Sequence, residues 1–218
     1  MLLAEDASVR TDTTTGSRRG WQYGVVAGVW LLTRIVAVAT VSLTPQILAD
    51  LTIYQRWLPY FHAGAFPGDD PTWQYPPGVS LLIEAAAALP TSFRWSFAAL
   101  MLAFDAAIMA ALLVARARRP AASWRGPWAW AVAGLLLGSI LYVRFDLAPT
   151  LLAVLAVLFA TSRPVRPVLA GAAAGVGALL KVWPVLMVVA LPRRRLSRGA
   201  AAAAATVIGV MTVWAMAT

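Results

Sequence analysis

The chain contains no cysteine. Disulfides and thiolate metal sites are therefore excluded. It is also poor in charge: only 12% of its 218 residues are Asp, Glu, Lys or Arg, where soluble domains carry about a quarter. Apolar residues fill their place. Hydrophobic residues make up 61% of the chain and mean hydropathy is +0.74, more than a soluble core of this size can use. Several runs reach the roughly 20 residues that cross a bilayer. The first twenty residues lack the apolar stretch of a signal peptide. Two-residue alternation is missing as well, which excludes a membrane β-barrel. In hydrocarbon the backbone must satisfy itself, so helices remain. These features define an all-α, polytopic helical membrane protein.

The formal charge of +9 suggests nucleic acid at first sight, but its placement does not. Arg10, Arg18 and Arg19 precede the first apolar run. Arg116, Arg118, Arg119 and Arg125 follow another, Arg163 and Arg166 lie in a short loop, and Arg193, Arg194, Arg195 and Arg198 in a third. Basic residues confined to short segments between spans are explained by the positive-inside bias, so no nucleic-acid partner is expected.

That bias also orders the chain. Residues 1–21 form a flexible cytoplasmic tail, and residues 22–218 the transmembrane domain. Span one covers about 23–43. The next basic cluster, 116–125, returns inside, which requires an odd number of crossings. The run 95–115 is long enough to make one. The run 78–90 has thirteen residues and contains Glu84, so it is read as a helix at or dipping into the outer interface. The first outer loop is therefore long, about 44–94. Spans three and four cover about 128–143 and 147–161. The run in residues 168–195 is split by Lys181, Trp183 and Pro184, which suggests two half-spans with an outward apex. The last run, 200–218, leaves the cytoplasm and stops in or just past a span, as the front part of a longer protein would. Gly171 and Gly175 give a small-residue face for helix packing.

The remaining ionisable residues gather on the outer side of this layout. Asp50, Asp69 and Asp70 lie in the first outer loop, Arg144 and Asp146 cap span three, and Lys181 sits at the broken apex. Such a set suits a polar site at the membrane boundary: carboxylates act as general bases or hold a divalent metal, and Arg and Lys neutralise phosphate. Each feature also has a plainer reading. Asp50 precedes Tyr54 by one helical turn, on a face continued by Trp57 and Phe61, and capping a surface helix would account for it equally well. Asp69 and Asp70, between Gly68 and Pro71, make ordinary turn chemistry. Tyr54, Trp73 and Tyr75 either stack on sugar or anchor at the headgroup level. Arg34 and Asp105, near the middles of spans one and two, are expected to pair structurally, because a lone charge in lipid is costly.

The order of these features is a recognisable pattern. An acid follows the first span, then "GDDPTWQYPPG", a short helix, "RFDLAPTLLAVLAVLF", and a small-residue helix ending in "ALLKVWP" before an Arg-rich turn. This resembles glycosyltransferase family 87 of the membrane-embedded GT-C superfamily, over about residues 20–200. The resemblance implies a GT-C-like transmembrane bundle. It implies a polyprenyl-phosphate sugar donor, perhaps of mannose, and inverting transfer to a lipid or glycan acceptor outside the cytoplasm. It also implies residue roles: Asp50 as general base, Asp146 as the second outer acid, and Lys181 with Arg144 against the donor phosphate. Tyr54, Asp69, Asp70, Trp73 and Tyr75 are the loop contacts it suggests. The pattern names no certain cofactor, and a divalent metal is left open. A transporter or flippase-like protein is the alternative, since it too uses broken helices with mid-membrane charges, although no internal repeat is present. An inactive fragment of such a transferase is the other.

Overall fold

The structure, a computed structural model, describes residues 11–41, 48–119 and 121–217. Residues 1–10 of the tail, the junction 42–47 and the end of the last run at Thr218 lie outside the described residues. Every regular element among the described residues is a helix, with no strand. The elements are α1 (Thr11–Ala39), α2 (Ala49–His62), α3 (Val79–Ala87), α4 (Phe93–Ala117), α5 (Arg125–Leu137), α6 (Leu147–Ala160), α7 (Pro167–Ala178) and α8 (Arg193–Ala217). Two 3-10 helices, Gly138–Tyr142 and Trp183–Ala190, interrupt the second half.

Three stretches are long and apolar enough to cross a membrane: Gly20–Ala39, Phe93–Ala117 and Arg193–Met216. The apolar helices α6 and α7 are shorter. Three sequence expectations change. α1 begins at Thr11 and so takes in much of the stretch read as tail. The arginines at 193–198 sit in the first turns of α8 and not in a loop, because Arg is a good helix former and Pro192 ends the preceding segment. The third run does not continue as one α-helix: α5 stops at Leu137, and Gly138 turns the chain with a positive φ of 57° into a 3-10 helix.

The arginine clusters of residues 116–125, 163–166 and 193–198 assemble at one end of the bundle. The Arg119 guanidinium, just past α4, donates to the Thr161 carbonyl at the end of α6. Arg116 lies 4.8 Å over the Trp124 ring at the start of α5, and Tyr23 of α1 meets Trp124 edge-on. α7 and α8 both start from this end and run side by side: Gly171 faces Gly199 and Ala202, and Gly175 faces Ala203 and Thr206. The small-residue face of α7 is thus filled by α8. Between them the chain turns at 179–182 and returns through Trp183–Ala190, with Pro184 against Gly177 and Leu191 against Gly199.

At the opposite end the helices are unequal. α4, with 25 residues, is about 37 Å long, and α6, with 14, is about 21 Å. Their basic ends are aligned by the Arg119–Thr161 contact, so the start of α6 lies well below the start of α4. α2 and α3 fill that recess. α2 buries Leu51, Tyr54, Trp57 and Phe61 along one face, and α3 buries Val79, Ile83 and Ala86. Both join one core with Phe97 and Met101 of α4 and with the 141–147 segment. The nine residues of α3 span only about 13 Å, too short for a crossing, as the sequence led us to expect.

The buried middle is held by Arg34 and Asp105, exposed by only 1% and 0%. The Arg34 Nε donates to Asp105 Oδ2 at 2.7 Å, and Nη2 to Oδ1 at 3.1 Å. Its remaining donors reach Thr33 and the Trp130 and Ala131 carbonyls. Asp105 also accepts from Trp130 Nε1 and Tyr142 Oη. Gly134 makes this possible, since a Cβ there would stand 2.2 Å from Arg34 Nη1. The expected structural pair is present and fully hydrogen-bonded.

Candidate active site

In the recess, at the end of the bundle away from the arginine clusters, four charged residues from three parts of the chain meet. Arg144 Nε lies 3.5 Å from Asp50 Oδ2 and 3.4 Å from Asp146 Oδ2. Lys181 Nζ contacts the other oxygen of Asp146. Two carboxylates and two cations alternate in the order Asp50, Arg144, Asp146, Lys181. The outer three side chains remain 39–45% exposed and Lys181 20%, so the cluster is open to a ligand.

Local structure explains how each arrives. Asp50 is in the first turn of α2, where its charge suits the helix dipole. It is not the N-cap: Leu48 occupies that position, with no side-chain cap hydrogen bond. One turn on, Tyr54 packs on Phe145 with ring centres 5.6 Å apart, and this contact sets Asp50 beside Arg144. Burial, then the Asp50 carboxylate, push the Tyr54 hydroxyl pKa far up, so it stays protonated. Asp146 directly precedes α6. Burial pulls the Arg144 pKa down, but Asp146 and Asp50 outweigh it and hold the guanidinium charged. Arg144 Nε is buried and finds no acceptor in hydrogen-bonding geometry. Both flanking carboxylates attract it by charge alone.

Lys181 occupies the turn between α7 and the returning 3-10 helix. Its ammonium lies 5.0 Å from the Phe145 ring centre and 5.8 Å from that of Tyr75, within cation–π range. Tyr75 in turn meets Phe145 edge-on at 4.8 Å. The loop reaches this place because the Pro76-Pro77-Gly78 corner sits against the Lys181 turn: a Cβ on Gly78 would be 2.7 Å from the Leu179 carbonyl oxygen.

The other loop residues lie apart from the four charges. Trp73 stacks with Phe66 and meets Trp57, Phe61 and Tyr75, forming the aromatic body of the loop. Asp70 makes the turn. It accepts hydrogen bonds from the Thr72 hydroxyl and amide and from Trp57 Nε1, and the Thr72 bonds hold its pKa below the usual carboxylate value. Asp69 is exposed beside it. Asp50 and Asp146 flank Arg144, so the guanidinium stands between the two carboxylates. No group of three acids or histidines gathers among the described residues.

Sequence reading missed Phe145 and Gly78. Phe145 lay hidden between two charged neighbours, with nothing to separate it from core. Gly78 carried no assigned role, although a glycine after two prolines is a signal of close approach.

These charges and the helices that carry them fall largely within one recognised pattern. The family model described as glycosyltransferase family 87 matches residues 73–218, which includes Tyr75, Arg144, Asp146 and Lys181 and leaves Asp50 outside. A search of curated proteins and a search of solved structures each find no match. With two thirds of its length matched, the chain belongs to glycosyltransferase family 87, a family of membrane glycosyltransferases.

Proposed function

We propose that this chain is a GT-C type transferase that moves a sugar, mannose being the first to try, from a polyprenyl-phosphate donor to an acceptor hydroxyl. The reaction takes place on the extracytoplasmic side of the plasma membrane. The observation that carries this reading is the meeting of Asp50, Arg144, Asp146 and Lys181 at the end opposite the arginine clusters. Basic ends of membrane proteins face the cytoplasm, which supports a multi-pass arrangement with the N-terminus inside and the cluster outside.

In the proposed step, the acceptor oxygen attacks the anomeric carbon while the bond from that carbon to the phosphate oxygen breaks. Asp50 takes the acceptor proton. The bonding electrons stay on the departing lipid phosphate, whose growing charge Lys181 and Arg144 stabilise. Asp146 holds both cations in place before the donor arrives.

The test is Asp50→Asn in membranes supplied with a radiolabelled polyprenyl-phosphate sugar. Loss of a general base costs about 10²–10⁴ in rate, so transfer should fall by at least about a hundredfold. Transfer at the rate of the unsubstituted protein removes Asp50 as the base.

A further inference from the structure

A cavity opens at the end of the molecule that carries the arginine clusters. It has a volume of about 720 Å³ and lies where the last turns of α4 and α6 approach the start of α7. Arg118, Arg119, Arg163 and Arg166 line it together with the apolar Leu155, Leu158 and Phe159. All four arginines are exposed. None of them forms an ion pair with a carboxylate among the described residues. After Asp105 the one acid in the sequence is Asp146, which stands at the far end against Lys181.

Two helix C-termini point into this region, each worth about half a negative charge, and the α7 N-terminus offsets one of them. Four full positive charges therefore dominate. The bond from Arg119 to the Thr161 carbonyl ties the two helix ends together and fixes one wall. We propose that this cavity binds one anionic phospholipid. Its phosphate sits among the four arginines, and an acyl chain follows the apolar wall between α4 and α6. Basic pockets between membrane helices recognise lipid headgroups in this way. The choice of occupant rests on charge complementarity joined to an apolar wall, a combination that a free phosphate or a polyanion in water would not use.

The purified full chain in a non-ionic detergent is titrated with phosphatidylglycerol, phosphatidylcholine or glycerol 3-phosphate, and bound molecules are counted by native mass spectrometry. One phosphatidylglycerol should be retained at least roughly tenfold more tightly than phosphatidylcholine, without competition from glycerol 3-phosphate. R163Q/R166Q should weaken that binding on the order of thirtyfold, at roughly fivefold per arginine near a membrane surface. R193Q/R194Q removes equal charge outside the cavity and should leave it unchanged. Leu158→Trp fills the apolar wall at constant charge and should also weaken it. Equal losses in the two arginine pairs would mean diffuse attraction and overturn the site. So would full competition by glycerol 3-phosphate, which marks a free-phosphate site, or equal retention of the two lipids.

Discussion

Arg144 shows how much a single side chain does in this fold. Its guanidinium bridges two carboxylates that are 96 residues apart in sequence, and still leaves one buried N–H without an acceptor. Asp70, twenty residues after Asp50, is a carboxylate of another kind. Its oxygens are used by Thr72 and Trp57, so its work is to close a turn. The two acids make different predictions. Because the folded Asp70 pKa is depressed, its contribution to stability is present above the unfolded carboxyl value, about 3.9, and is lost as pH falls through the folded one. Melting of the detergent-purified protein from pH 6 down to pH 3 should therefore show a loss of stability in acid that is smaller in Asp70→Asn. An identical acid slope in both proteins would contradict the turn role.

At the scale of elements, what was legible followed from periodicity and from the cost of charge in lipid. The α2 face, the short α3, the paired Arg34 and Asp105 and the break at Lys181 all came from such arguments. Helix ends were less legible. Nothing in "GPWAWAVAGLLLGSILYVRFD" distinguishes Gly134, which admits Arg34, from Gly138, which turns the chain. The extent of α8 was hidden because charge clusters were read as loops. Two predictions belong here. Arg34→Met leaves the Asp105 carboxylate buried and unpaired, and should cost about 3–5 kcal/mol, read as reduced thermal stability in detergent. Arg34→Met with Asp105→Leu should recover most of it; a double variant as unstable as the single one would refute the pairing account. Gly78→Ala forces the loop off the Leu179 carbonyl and displaces Tyr75 from Lys181. Sugar transfer should fall roughly ten- to hundredfold, the scale expected of a misplaced site, with the fold kept. Full activity would show that this corner does not position the site.

For the whole molecule, the separation of charge is the organising fact. Arginines that form no ion pair with a carboxylate among the described residues occupy one end, and the balanced cluster of acids and cations occupies the recess at the other, where α6 falls short of α4 and α2 and α3 fill the gap. That polarity ties the membrane topology to the proposed chemistry. The absence of native cysteine makes it directly measurable. Single-cysteine variants Asp50→Cys, Lys181→Cys and Ser162→Cys are treated in intact cells with a small, membrane-impermeant thiol reagent. The account predicts that the first two react from outside and that Ser162→Cys reacts only after permeabilisation. Reaction of Asp50→Cys and Lys181→Cys from opposite sides, or of Ser162→Cys alone in intact cells, would contradict it.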